Sequence, residues 1–183
     1  MISLAILASA AGLAAPQADP LAGTENWVLC FEPDVAAKRC DGMARYVREG
    51  DVRYAQVSLT PLQGMHGAAI ETRSVVSIRN GAICEQADLA KLRAGKLLMD
   101  GKPVAAAKAA PIMRQVEIGY RGIAGKEICV LPESNGVAFV GRVLVNGARV
   151  PELDRAFRWV HNDDGFSMAG WQTLTAAGPV HPH

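Results

Sequence analysis

The sequence has few aromatic residues, almost no net charge and no cofactor motif. Aromatic side chains make up 5% of the 183 residues, and 19 Lys and Arg against 18 Asp and Glu leave a formal net charge of +1. Such a chain lacks the clustered positive charge that binds nucleic acid. No G-x-G-x-x-G or P-loop stands at a strand-to-helix turn. We therefore predict a protein with no cofactor and no nucleic-acid partner.

The chain also lacks an apolar run long enough to cross a membrane. Residues 2–15 are uncharged and end in small residues, but a membrane helix needs about 20 residues. The length is typical of the apolar region of a secretory signal peptide, although no Lys or Arg precedes it. The alternative is a buried N-terminal helix. We predict a signal peptide over residues 1–18 that is removed on export, no transmembrane span in the mature chain, and a periplasmic or secreted location.

Four cysteines are present, and no C-x-x-C pair or Cys-His spacing of the zinc type occurs among them. An exported chain with an even number of cysteines is expected to pair them as disulfides. Three pairings are possible for Cys30, Cys40, Cys84 and Cys129. We favour Cys30 with Cys40, which brackets a strand-to-helix junction, and Cys84 with Cys129, which lie in two strand-like runs. A metal or redox site is the less favoured reading.

Three dipeptides predict two-residue β-hairpins, because Asn-Gly and Asp-Gly tolerate the two positive φ angles of a type I′ turn. They are Asn80-Gly81, Asp100-Gly101 and Asn146-Gly147. The first follows residues 70–79, whose apolar side chains alternate as in a strand with one buried face. The other two continue as DGKPVAA and NGARVPE, so we expect short returning arms that leave the sheet at a proline.

Further strand-like runs begin at Asn26, Arg53, Glu127, Val137 and Arg155. Helical spacing predicts a helix over residues 34–48, and Asp88 is a suitable cap for a second helix that stops at Gly95. A third, Ala-rich helix must be kinked or divided by Pro111. We therefore predict an α+β fold, with an antiparallel sheet of five to seven strands, two or three helices packed on one face, and disulfides stapling the scaffold. It forms a single domain over residues 19–175, followed by a flexible tail over residues 176–183.

Two places in the sequence are candidates for chemistry. His161, Asp163 and Asp164 form the densest polar cluster and are weak metal-ligand candidates, although Asn, Asp and Gly also belong in a hairpin turn. His66 lies between glycines, where an imidazole is accessible as an acid or base, or as a contact for a ligand. An exposed loop histidine is the favoured interpretation, because no carboxylate lies within its own loop to orient the ring. No catalytic residue is assigned.

Three other residues are candidates for contact with a ligand or partner. Trp171 follows a glycine late in the chain, where an exposed ring can serve as a binding platform. Arg155 and Arg158 lie on one strand-like run and suggest a modest basic stripe. Arginines on the wet face of a strand are also ordinary.

The sequence favours a non-catalytic, exported binding module over an enzyme. The supporting observations are the signal-like start, the even number of cysteines and the lack of a catalytic triad, metal cage or cofactor loop. The expected partner is an unknown protein or small molecule in the cell envelope or outside the cell. Two alternatives stay open. One is a hydrolase-like or metal-dependent enzyme that uses His66 or the cluster of His161, Asp163 and Asp164, and the other is a structural component of the envelope that acts through assembly.

Overall fold

The computed structural model describes residues 19–134 and 138–168. The predicted signal peptide, the predicted tail at 176–183 and Trp171 lie outside these ranges. In chain order the elements are β1 (Trp27–Phe31), β2 (Arg39–Cys40), β3 (Gly42–Arg48), β4 (Arg53–Pro61), β5 (Ala68–Arg79), β6 (Ala82–Gln86), α1 (Leu89–Arg93), β7 (Lys96–Met99), β8 (Lys102–Pro103), α2 (Ala106–Tyr120), β9 (Glu127–Ser134), β10 (Phe139–Val145), β11 (Ala148–Arg149), β12 (Arg155–His161) and β13 (Ser167–Met168). Short 3-10 turns cover Pro151–Leu153 and Asn162–Asp164.

Eight of the strands close into an antiparallel barrel. Its strands are β1, β3, β4, β5, β6, β9, β10 and β12, and each pairs with the next of these along the chain. The first and last then pair with each other, with Leu29 opposite Trp159 and Phe31 opposite Phe157. The result is an up-and-down barrel in which closure satisfies the strand edges that an open sheet leaves exposed.

The predicted α+β fold, with an antiparallel sheet of five to seven strands and helices on one face, is therefore wrong, and so is the helix predicted over residues 34–48. That segment forms β2 and β3. Ala44 and Tyr46 of β3 point into the barrel, whereas Met43 points outward beneath a second layer of side chains. Burial on both sides of β3 removes the simple alternation of a half-exposed strand, and the apolar positions that remain imitate helical spacing.

The side chains that fill the barrel come from most of its strands. Leu29, Tyr46, Val76 and Phe157 are among those buried inside, and the Phe157 ring stacks on Phe139 with ring centroids 5.3 Å apart. At the end where β4 begins, Leu21 packs into this interior and is 1% exposed. The segment over residues 19–26 thus closes one end of the barrel through Leu21.

A second apolar cluster lies on the outside of the barrel wall. β2 and β13 form a two-stranded parallel pair, and Cys40, Phe166 and Met168 from this region pack on Val28 and Met43 of the wall. The Cys30–Cys40 disulfide bonds this layer to β1. The predicted pairing is confirmed for both disulfides, since the second one joins Cys84 of β6 to Cys129 of β9.

All three predicted hairpin turns are confirmed. The asparagine or aspartate and the glycine of each turn have positive φ angles, for example 49° at Asn80 and 73° at Gly81. The turns join β5 to β6, β7 to β8, and β10 to β11. The returning arms β8 and β11 are two residues long, in agreement with the expectation that the chain leaves the sheet near the proline.

The connection from β6 to β9 carries both α-helices. Asp88 caps α1 as predicted, because its side chain accepts a hydrogen bond from the Ala90 backbone N–H at 2.7 Å. Pro111 lies inside α2, which runs as one element from Ala106 to Tyr120 and is not divided. Among the residues that the structure describes, no helix has the length and apolar character needed to cross a membrane.

Candidate functional site

The barrel wall has a gap between β5 and β6, and the gap is covered by α1. β5 pairs with β6 only over Ser77–Arg79, and with β7 only over Ala68–Glu71. In the described part of the chain, no strand pairs with β5 on this side between those two stretches. The strand edge at 72–76 is therefore open on the side away from β4.

This gap leads into a cavity of about 220 Å³, which we call the α1 cavity. It is bounded by the end of β4, by residues 70–74 of β5, by Glu85 and Gln86 of β6, and by residues of α1 and α2. Cavities that hold drug-sized ligands are larger, at about 300–1,000 Å³. The α1 cavity equals the liquid volume of about seven water molecules and suits a small ligand.

Glu85 is the charged group at the inner side of the α1 cavity. Side chains alternate along β6, so Ile83 and Glu85 point inward, while Cys84 points outward to its disulfide. Burial raises the pKa of the Glu85 carboxyl, and the neighbouring Ser74 hydroxyl and Lys91 ammonium oppose this shift in part. Among the described residues, no cation forms an ion pair with Glu85 within 4.0 Å. The carboxyl is thus partly desolvated without a direct counter-ion.

The hydroxyls on the β4 and β5 side of the α1 cavity are largely bonded to their cross-strand neighbours. Ser58 Oγ and Thr72 Oγ1 lie 2.8 Å apart, and Ser74 Oγ donates to Gln56 Oε1 at 3.0 Å. These pairs face each other in the strand register. Because they satisfy one another, the Glu85 carboxyl is left as the strong acceptor at this wall.

The helices contribute a phenol and an ammonium group. Burial, together with the charges of Glu85 and Asp88, raises the pKa of Tyr120. Tyr120 therefore keeps its proton at neutral pH and remains a hydrogen-bond donor. Lys91 of α1 lines the α1 cavity and is only half-buried, so its ammonium is accessible to solvent.

A two-pronged ion pair fixes the two helices to each other. Arg93 Nε and Nη2 of α1 donate to the two carboxylate oxygens of Glu117 of α2, at 3.0 and 2.6 Å. Beneath this pair, Leu92 packs against Ile70 of β5, together with Val116 and other aliphatic residues of α2. The cover over the α1 cavity is thus held by packing and by a bidentate ion pair.

The polar cluster predicted from the sequence forms a local turn. The His161 backbone N–H donates to Asp164 Oδ2 at 2.8 Å, and the Asp163 backbone N–H donates to His161 Nδ1 at 3.4 Å. Gly165 ends the turn with a φ of 76°. His161 Nδ1 and Asp163 Oδ2 lie 3.3 Å apart, but the Asp163 side chain is 90% exposed. None of these residues lines the α1 cavity.

The other candidates are also separated from the α1 cavity and from one another. His66 is exposed in the loop between β4 and β5. Arg155 and Arg158 are three residues apart on β12, so they point to opposite sides of the strand and do not form one stripe. The Arg155 guanidinium donates to the Glu152 and Asp154 carbonyl oxygens at 3.3 and 2.8 Å.

The residues of the α1 cavity were missed from the sequence. Glu85 follows the Asn80-Gly81 turn by four residues, and the predicted hairpin places it on the same strand face as Ile83. A carboxylate on an otherwise apolar strand face was the available signal. Lys91 and Tyr120 carry no such signal, because their place depends on how the helices fold over the barrel.

Comparisons with known proteins add no relative: no family model, no curated protein and no solved structure matches this chain.

Proposed function

We propose that this protein is an exported, non-catalytic binding protein that holds one small molecule in the α1 cavity. The observation that carries the proposal is the partly buried Glu85 carboxyl, which lines a cavity and has no ion-pair partner within 4.0 Å among the described residues. A carboxyl of perturbed pKa in a concave site is a frequent mark of a functional site.

The barrel itself supports a small ligand rather than a large one. An eight-stranded barrel has an interior that side chains can fill, or that holds a single small molecule. Here most of the interior is filled by residues such as Tyr46 and Phe157, and Leu21 plugs one end. The open space lies at the gap between β5 and β6, which also provides the route by which a ligand enters.

The disulfides support a periplasmic or secreted location for this binding protein. Both bonds join residues on the outside of the barrel wall, and disulfides persist in oxidising compartments. The proposed partner is therefore a small molecule in the envelope or outside the cell.

The proposal is tested by titrating the full disulfide-bonded chain with a small-molecule fragment library, using amide NMR spectra as the readout. We expect saturable shifts that concentrate at Glu85, Lys91, Val116 and their neighbours. Val116→Trp should fill the cavity and abolish these shifts, whereas Asp163→Asn, which lies outside it, should leave them unchanged. Fragments that shift only residues outside the α1 cavity would overturn the proposal.

We do not propose an enzymatic function, because the structure places the candidate catalytic residues apart from the α1 cavity. His66 and the cluster of His161, Asp163 and Asp164 lie apart from the α1 cavity, and the carboxylates and imidazole of the cluster are engaged in their own turn.

A further inference from the structure

We propose that the ligand of the α1 cavity carries a primary ammonium group, which binds the Glu85 carboxylate, and a short aliphatic body, which packs on the apolar wall of the cavity. This inference rests on the proposed function and specifies the chemistry of its ligand.

The charge pattern of the α1 cavity favours a cation at its inner side. Two carboxylates, Glu85 and Asp88, and two cations, Arg73 and Lys91, line the cavity. Arg73 is paired with Glu71 at 3.5 Å, and Lys91 is half-exposed on α1, so Glu85 is the charged group at the inner side. Asp88 is already engaged, since its Oδ1 caps α1 by accepting from the Ala90 N–H. Glu85 has no such backbone donor and no direct counter-ion among the described residues. Burial disfavours the ionised form of Glu85, and a cationic group of the ligand would stabilise that form.

The oxygens around Glu85 favour an ammonium group in particular. The hydroxyls of Ser74 and Tyr120 line the same cavity as Glu85, and the Glu85 charge contributes to the raised pKa of Tyr120. An ammonium group has three N–H donors and no acceptor. It can therefore donate to the Glu85 carboxylate and still offer two N–H groups to other acceptor oxygens of the cavity, whereas an alcohol of the same shape has a single donor.

The rest of the α1 cavity favours an aliphatic body. Its apolar wall is formed by Leu62 of the β4–β5 loop, Ile70 of β5, Leu92 of α1 and Val116 of α2. The volume of about 220 Å³ is that of a small ligand and lies below the range for drug-sized ligands. A branched chain of four or five carbons, about the size of a leucine side chain, matches both the wall and the volume.

Lys91 distinguishes two classes of ligand that carry such an ammonium group, alkylamines and aliphatic α-amino acids. Its ammonium is half-exposed at the cavity and has no ion-pair partner in the described part of the chain. A simple alkylamine would leave Lys91 unused, whereas an aliphatic α-amino acid would place its carboxylate toward Lys91. Both ligands share the ammonium and the aliphatic body.

Binding of an ammonium group should weaken as Glu85 becomes protonated. The titratable and charged groups around Glu85 are Lys91 and Asp88 of α1, Tyr120 of α2, Arg73 of β5 and Tyr46 of β3. Both tyrosines keep their protons, since their pKa values are raised. The loss of affinity on acidification should therefore follow the carboxyl of Glu85.

The test is isothermal titration calorimetry of the full disulfide-bonded chain with 3-methylbutylamine, 3-methylbutan-1-ol, 3-methylbutanoate and leucine. We expect the amine to bind at least about tenfold more tightly than the alcohol, because the alcohol cannot form a charged hydrogen bond with the Glu85 carboxylate. Glu85→Gln should remove this advantage while leaving alcohol binding in place and without lowering the melting temperature. Lys91→Gln should weaken leucine and not the amine if an amino acid is the natural ligand class. Glu152→Gln, an exposed carboxylate outside the cavity, is the matched control.

The outcomes separate this inference from the proposed function. Equal binding of the amine and the alcohol, preference for 3-methylbutanoate, or no effect of Glu85→Gln would overturn the ammonium inference while the cavity remained a binding site. Failure of both the amine and leucine to bind would also overturn it. The proposed function itself falls only if the fragment titration finds no ligand for the α1 cavity.

Discussion

Cys84 and Glu85 are neighbours in β6 that serve opposite sides of the barrel wall. The Cys84 sulfur is bonded to Cys129 of β9 on the outside, and the Glu85 carboxyl points into the α1 cavity. The disulfide therefore fixes the strand that carries the candidate ligand-binding group, at the place where β6 loses its pairing with β5.

The two disulfides should differ in their contribution to stability. Cys84 and Cys129 are 45 residues apart in sequence, and Cys30 and Cys40 are 10 apart. On the loop-entropy model, replacing the first pair by Ala should lower the free energy of unfolding by about 4 kcal/mol, and replacing the second by about 3 kcal/mol. Urea unfolding of the two double variants measures both values. A larger loss for the Cys30–Cys40 pair would contradict the loop-length argument.

Glu85→Gln should change how stability depends on pH. Because the folded pKa of Glu85 is raised above its ordinary value of 4.5, the folded state binds this proton more tightly than the unfolded state. The resulting stability is present in full below that ordinary value and is lost as pH rises through the folded pKa. The Gln variant should lose this decline and be the more stable form at about pH 8.

Melting temperatures measured across the pH range test this expectation. The exposed Glu152→Gln variant serves as the control and should follow the parent protein. A parent protein whose stability rises relative to that of Glu85→Gln between acid and neutral pH would contradict the sign of the shift.

Arg93→Ala should loosen the cover of the α1 cavity. Arg93 makes two hydrogen bonds to Glu117, whereas Arg121 approaches the same carboxylate only once, at 3.7 Å. We expect faster hydrogen exchange of the α1 amides in Arg93→Ala, with a small decrease in melting temperature, because α1 has only five residues and depends on its neighbours. Arg121→Ala is the matched control, and an equal effect of both variants would show that the bidentate geometry is unimportant.

Phe157→Ala should be strongly destabilising. Phe157 is 2% exposed, stacks on Phe139 and lies on β12, opposite Phe31 of β1 at the seam of the barrel. Loss of a buried phenylalanine side chain leaves a cavity and typically costs about 3–5 kcal/mol. Phe157→Leu should lose markedly less, since it keeps most of the volume. An unfolding free energy that falls by less than about 1 kcal/mol in the Ala variant would show that the seam repacks.

The turns and the disulfides could be predicted from neighbouring residues and from the cysteine count. The closure of the barrel could not, because it depends on strands that are far apart in the sequence. Asn80-Gly81 needs only its own two residues to define a hairpin, and Asp88 caps α1 through Ala90, two residues away. The pairing of β1 with β12 joins Trp27 to His161 across most of the described chain, and no local pattern reports it.

The misread segment of β3 had the largest consequence. Most of the remaining strands were predicted, but without β3 nothing connects β1 to β4, and the sheet stays open. The same error hid the candidate site, because Glu85 on an open sheet has no enclosed side to face. The predicted candidates were exposed polar residues such as His66 and Asp163, whereas the α1 cavity uses a carboxylate placed on an inward strand face.

The seam between β1 and β12 also determines when the molecule can fold. Leu29 finds its partner Trp159 only after all the other barrel strands have been made, so the wall cannot close during most of synthesis. Pairing across so long a separation is slow, and the chain remains open with unpaired strand edges until its last barrel strand arrives. The barrel therefore closes only after β12 has been synthesised, and the pairing of β1 with β12 should be the slowest step of folding.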